Sequence, residues 1–333
     1  IDAGAKILRP DEKGQTSLHK ACTLNTTEIV KLILKTVEEK FGRHSLESFL
    51  EKEDTDKTTA LMNSVESGNG ENTKLLIDAG AKINTANNAG FTPLHLAAAH
   101  GSVDVANILI KSGAEIDHIN HEGQTPLHVA SSNGSTDLVS ILVKHGANLE
   151  KLDKNGSTAL LLAAKAGQSE TLKEIIKLGG EVDVIDKNDH SPLYFTVERN
   201  HLKCLKLLLK TSKADTLLCR NDRWDNTPLH IAAEKGDLEA IKTMVRLGAS
   251  LESRNKHQST PLHLAALRGI ANSIDILCQL GADTEAKDID DLTPIFNAAK
   301  RGKTKAIDTL CKNGANVNFS SKYGNTPLHY VAE

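Results

Sequence analysis

"GFTPLHLAAAHGSVDVANILIKSGAEID" (residues 90–117) returns as "GQTPLHVASSNGSTDLVSILVKHGANLE" (residues 123–150). Self-similarity at a fixed spacing decides architecture before any single residue does, because it marks units that only their neighbours complete. The Thr or Ser of the T-P-L-H-like tetrad serves as a ruler. It falls at Thr16, Thr59, Thr92, Thr125, Thr158, Ser191, Thr227, Thr260, Thr293 and Thr326, and seven of the nine spacings are 33 residues, the others being 43 and 36. A chain of 333 residues ordinarily suggests two domains. The period predicts instead one array over residues 1–333, about ten repeats, partial at both ends.

Each tetrad has the chemistry of a helix start. The hydroxyl can accept a hydrogen bond from a free N–H of the first turn, and the proline that follows suits the first helical position. Seven of the eight prolines (Pro93, Pro126, Pro192, Pro228, Pro261, Pro294 and Pro327) sit there, so proline here begins helices. Alanine pairs such as Ala97 with Ala98 permit close helix approach but fill little volume. Gly101, Gly134, Gly167, Gly236, Gly269 and Gly302 end the first helix, where a left-handed backbone costs glycine little. A second helix carries larger apolar residues, Val105, Ile108, Leu109 and Ile110 in the quoted copy, and Gly113 closes it. Each unit is therefore predicted to be a helical hairpin plus a projecting turn, and the fold an all-α solenoid of stacked hairpins. Aromatic residues at 3% against 39% hydrophobic suit a thin core of Ala and Leu.

The segments "TPLHLAAAHG" (92–101), "TPLHVASSNG" (125–134), "TPLHIAAEKG" (227–236), "TPLHLAALRG" (260–269) and "TPLHYVAE" (326–333) resemble the ankyrin-repeat family. That resemblance implies a non-catalytic, protein-binding solenoid. "IDAGAKI" (1–7) matches the tail of a second helix at 77–83, and the last residues stop inside a first helix. Terminal repeats of a solenoid need polar caps, so the expectation is a piece of a longer chain.

Lys plus Arg number 40 and Asp plus Glu 43, a net charge of −3 that offers no footprint for nucleic acid. The cysteines are Cys22, Cys204, Cys219, Cys278 and Cys311, odd in number and without a C-x-x-C pair, which points to free thiols in a reducing compartment. No apolar run reaches the roughly 18 residues of a membrane helix, and no basic, then apolar, leader opens the chain. A cytoplasmic location is expected.

Little chemistry is left once the repeat is accounted for. "SGNGENTK" (67–74) only distantly echoes a phosphate loop and falls at a turn between helices. Of 14 histidines, His19, His95, His128, His230, His263 and His329 are the tetrad histidine, whose recurrence at one place predicts hydrogen bonding between repeats. "HINH" (118–121) brings His118 and His121 together in a turn without further ligands. Neither an enzyme nor a cofactor or metal is expected.

Binding specificity in a solenoid belongs to positions that vary between repeats. Seven and eight residues beyond the ruler stand Glu198 and Arg199, Glu234 and Lys235, Leu267 and Arg268, and Lys300 and Arg301. Arg199, Lys235, Arg268, Lys300 and Arg301 thus form a candidate stripe on the concave face for a protein partner, an acidic or phosphorylated ligand, or an anionic lipid headgroup. Read the other way, it is a solvated surface partly balanced by Glu198 and Glu234. Phe91, Trp224 and Tyr323 lie in projecting turns and form a second candidate set, since exposed aromatics there can anchor partners. The alternative for them is packing against the next turn.

The two irregular spacings lie within 35–54 and 210–222, after second helices, where a turn can lengthen without breaking the stack. "VEEKFGRHSLESF" (37–49), "HSPLYFTVERNHLKCLKLLL" (190–209) and "SKADTLLCRND" (212–222) resemble matching segments in the cytoplasmic ankyrin array of TRPA-type transient receptor potential cation channels. This narrower resemblance implies a regulatory array in a tetrameric, calcium-permeable channel at the inner face of the plasma membrane, with the pore beyond residue 333. The competing reading is a soluble scaffold or adaptor. Met62, Leu161, Tyr194 and Phe296 replace the tetrad histidine, and joints are expected to loosen there.

Overall fold

The computed structural model describes residues 7–322 and 324–331, and the regular structure among them is entirely helical. Residues 1–6, which carry most of the N-terminal repeat match, and Tyr323 lie outside the described residues. The chain divides into two compact units, Ile1–Ala163 with Glu170–Gly180, and Ala164–Ser169 with Glu181–Glu333.

The first unit holds the hairpins α1 (Ser17–Thr23) and α2 (Thr27–Phe41), followed by α3 (Arg43–Leu50), then α4 (Ala60–Glu66) and α5 (Gly70–Asp78), α6 (Pro93–His100) and α7 (Val103–Lys111), and α8 (Pro126–Asn133) and α9 (Thr136–Lys144). Helix α10 (Ala159–Ala166) runs across the division, and most of α11 (Ser169–Lys177) belongs to the first unit. The second unit continues with α12 (Pro192–Glu198), α13 (Leu202–Leu208), α14 (Ala214–Cys219), α15 (Pro228–Lys235), α16 (Leu238–Arg246), α17 (Pro261–Arg268), α18 (Ala271–Gln279), α19 (Pro294–Lys300), α20 (Thr304–Lys312) and α21 (Pro327–Val331).

Helix starts follow the predicted chemistry. Thr125 is an extended N-cap (φ −85°, ψ 167°), and its hydroxyl accepts from the His128 N–H. The prolines occupy the first helical turn of α6, α8, α12, α15, α17 and α19. Helix α6 stops at Gly101 in a left-handed conformation, φ 66°, and Asn25 (φ 60°) and Asn200 (φ 59°) do the same at matching places, as asparagine tolerates that region better than most residues.

First helices pack on first helices, α1 on α4, α4 on α6 and α6 on α8 in one unit, and α12 on α15, α15 on α17 and α17 on α19 in the other. Second helices form a parallel row, with α5 on α7 and α7 on α9, and α16 on α18 and α18 on α20. Leu94, Leu127, Leu229, Leu262 and Ile295 on the first helices, with Leu109, Leu142, Met244, Leu277 and Leu310 on the second, are at most 1% exposed. Each alanine pair, Ala97 with Ala98 for example, is fully buried, so the small residues do set the helix spacing.

The insertions are helical rather than longer turns. The first extends α2 to 15 residues and adds α3, and Leu46, Phe49 and Leu50 of α3 close over Ile33 and Val37. The second builds α14, whose Leu217 and Leu218 are buried.

Candidate functional site

The five cations predicted as a stripe all stand at the C-terminal ends of first helices in the second unit. Arg199 caps α12, Lys235 ends α15, Arg268 ends α17, Lys300 ends α19 and Arg301 caps it. Cations belong there electrostatically, since the carbonyl end of a helix is its negative pole. The first three have carboxylates beside them. Arg199 lies 3.4 Å from Glu198, and Lys235 reaches back 3.6 Å to the same Glu198 on the preceding first helix. Arg268 likewise reaches back to Glu234, its Nε at 2.7 Å and a second guanidinium nitrogen in contact with the same oxygen. Lys300 and Arg301 are exposed, and among the described residues neither has a carboxylate within 4 Å. These are surface pairs in water, so they orient side chains more than they stabilise the fold.

The turn-tip aromatics separate. Trp224 is 53% exposed, with the Arg223 guanidinium 5.8 Å from its ring centre. Phe91 is half-buried and tilts against His95 at 5.4 Å. Tyr323 lies outside the described residues. Turns also join each other through backbone bonds, His121 N to Ala89 O at 3.1 Å and Lys256 N to Trp224 O at 3.0 Å.

Tetrad histidines are bridges. The His128 Nε2 lies 3.0 Å from the Ser157 carbonyl, which can only accept, so Nε2 carries the proton. Nδ1 is then the acceptor for the Thr125 N–H at 3.2 Å and the Thr125 hydroxyl at 2.8 Å. His95, His230 and His263 repeat this geometry toward Gln124, Ser259 and Leu292, and His19 reaches Thr58 across the first insertion. Burial pushes the imidazoles of His95 and His263 down to about 4, and those of His19, His128 and His230 down as well. They are neutral, doubly bonded and enclosed, which suits a structural role. His118 is held by Glu115 at 2.9 Å, and no cluster of three metal-ligating side chains occurs among the described residues.

A family profile described as "Ankyrin repeats (3 copies)" matches residues 40–120, 112–186, 160–255, 193–288 and 262–333. The chain is an ankyrin-repeat protein. A search of curated proteins finds no match. Ankyrin repeats are protein-interaction scaffolds, and no helix among the described residues of this one is long and apolar enough to cross a membrane.

Within these ankyrin repeats, one arrangement escaped the reading of the sequence. It is an Asx turn under the projecting loops. Asp153 Oδ1 accepts from the N–H groups of Asn155 and Ser157, both at 2.8 Å, and Asp54, Asn87, Asn120, Asp186, Asp222, Asn255 and Asp288 do the same. The signal was visible, an Asp or Asn five residues before the tetrad hydroxyl. The balancing by Glu198 and Glu234 that the sequence offered takes the form of a reach-back between hairpins, Glu198 to Lys235 and Glu234 to Arg268. The cysteines also sort themselves, with Cys22 and Cys204 buried and Cys219 and Cys311 exposed.

Proposed function

We propose that this chain holds a protein partner bearing acidic groups along the C-terminal ends of α12, α15, α17 and α19. Placement of cations at one register on four successive first helices carries the reading, with Arg199, Lys235, Arg268, Lys300 and Arg301 as contacts and Trp224 as an apolar anchor at the neighbouring turns. Wild-type chain and the Arg268→Glu/Arg301→Glu variant would be compared for the proteins each retains, by quantitative mass spectrometry. The charge-reversed form should lose specific partners, and an unchanged set overturns the reading.

The finer proposal is a regulatory role in a TRPA-like, tetrameric, calcium-permeable cation channel, the array lying at the cytoplasmic face of the plasma membrane. Its support is the resemblance of the two inserted segments, which form α3 with the end of α2, and α14. The rival is a soluble adaptor. Sequencing the transcript past the Glu333 codon separates them, because a channel requires several apolar spans of about 20 residues and an adaptor none.

A further inference from the structure

The register of the stripe contains its own rule. An acid seven places beyond the ruler on one first helix meets the base eight places beyond it on the next, as Glu198 meets Lys235 at 3.6 Å and Glu234 meets Arg268. By that rule the counterpart of Arg301 is Leu267, which has no carboxylate. Lys300 stands where its own helix would supply the acid. The ladder of compensated charge therefore ends in two cations.

More positive charge follows directly. "KRGKTK" (300–305) adds Lys303 and Lys305, both exposed, and among the described residues no carboxylate lies within 4 Å of any of the four cations. Lys305 replaces the acid that α7, α9, α11 and α16 carry in their first turn, Asp104, Asp137, Glu170 and Glu239. Helix α20 has no acid there. The stem of Lys303 lies along Gly269, where a Cβ would come within 2.8 Å of its Cδ, so this lysine is laid against the preceding hairpin beside Arg268. In a chain with a net charge of −3, four uncompensated cations within six residues form a local feature that opposite charge would relieve.

We infer that the turn joining α19 to α20 docks an acidic peptide segment of the partner, whose carboxylates take the place beside Arg301 that Glu234 takes beside Arg268. This rests on the scaffold reading above and narrows it to one end of the stripe. Leu267 selects a peptide over a small anion or a lipid headgroup. It is half-buried, stands in the acid's slot, and offers an apolar contact next to the cations, which suits an apolar side chain flanked by carboxylates.

The experiment follows from the missing carboxylate. A fluorescein-labelled peptide with a leucine between paired glutamates is titrated by fluorescence anisotropy, against the same peptide carrying glutamines. The glutamate peptide should bind at least about tenfold more tightly, and added salt should narrow the gap. Leu267→Glu supplies the carboxylate internally and should weaken the glutamate peptide by about tenfold, as should the exposed pair Lys300→Ala/Arg301→Ala. Lys111→Ala/Lys144→Ala, exposed at the ends of second helices and outside the stripe, should leave binding within about twofold. Circular dichroism confirms that each variant is folded, and the exposed Lys300/Arg301 pair keeps the test open if Leu267→Glu is not. Unchanged binding by both α19-end variants overturns the docking point, as does preferential binding to phosphatidylserine vesicles over the peptide. If Arg199→Ala/Lys235→Ala is the harmful change, or if Arg268→Glu/Arg301→Glu loses cellular partners while the peptide ignores every variant, the scaffold reading survives and this inference fails.

Discussion

Acidification from pH 7 to about 4 should remove about 3 kcal/mol from the hairpin junction held by His263, and a similar amount from that held by His95. Both imidazoles titrate at about 4 in the folded chain against 6.5 when free, because burial disfavours their charged form. At about 1.4 kcal/mol per pH unit, the difference is about 3 kcal/mol. The contribution is whole above pH 6.5, where both states are neutral. It declines as pH falls and only the unfolded chain binds the proton, and it is flat below about 4, once the folded imidazole binds one too. His19, His128 and His230 are displaced in the same direction for the same reason. The decisive comparison is His263→Leu. At pH 7 it should cost about 1–3 kcal/mol, since the Leu292 carbonyl and the Thr260 N–H lose their partner. Toward pH 5, above the range where carboxylates add their own slope, the gap between variant and wild type should shrink. Urea denaturation from pH 7 to 5 gives the slopes, and imidazole NMR titration gives the folded value directly. A His263 signal titrating near 6.5, or a variant keeping the full wild-type slope, would refute the reasoning.

Asn72 is fully buried with neither amide atom partnered, at the place where the next hairpin has Val105, so Asn72→Val should stabilise the first unit by about 1–3 kcal/mol in urea denaturation. Gly90 has φ +79° and a Cβ there would lie 2.7 Å from the His121 nitrogen, so Gly90→Ala should cost about 2 kcal/mol or more, read as a lower urea midpoint. A maleimide reagent should label exposed Cys219 and Cys311 in the native chain. Cys22, its thiol pushed by burial up to about 12, and Cys204, to about 11, should react only after unfolding, which mass spectrometry of the digested protein can score.

The sequence disclosed whatever is local and repeated. A hydroxyl before Pro, a Gly after an alanine pair and a histidine at fixed register each act within a few residues of themselves, and each stands in the structure where the spacing put it. The inserted helices were harder to read because the apolar face of "RHSLESFL" is only three residues, Leu46, Phe49 and Leu50, and becomes a face only when Ile33 and Val37 lie beneath it. Of the candidate stripe, the C-terminal placement on successive first helices was legible. Partial balance by Glu198 and Glu234 was legible too, but which cation each acid meets was not, since Glu234 meets Arg268 34 residues away on another hairpin, and that pairing needs the helix-to-helix stagger. Trp224 is exposed while Phe91 at a related turn position is half-buried, so a turn position alone does not fix exposure.

The histidine bridges also give the chain a mechanical grain. A hairpin peeled from its neighbour by tension must break the Nε2 bond at Gln124, Ser157, Ser259 or Leu292 together with the core it sits in. Where Phe296 takes the histidine's place, edge-to-face ring contacts with Phe319 and Tyr330, at 6.1 and 5.8 Å, stand at the junction instead. Hydrogen bonds are short-ranged and resist until they snap, while apolar contacts yield over a longer pull. Stretched in an optical trap, the hairpins should therefore come away as two kinds of event, abrupt and gradual, in an order written by which residue ends each tetrad.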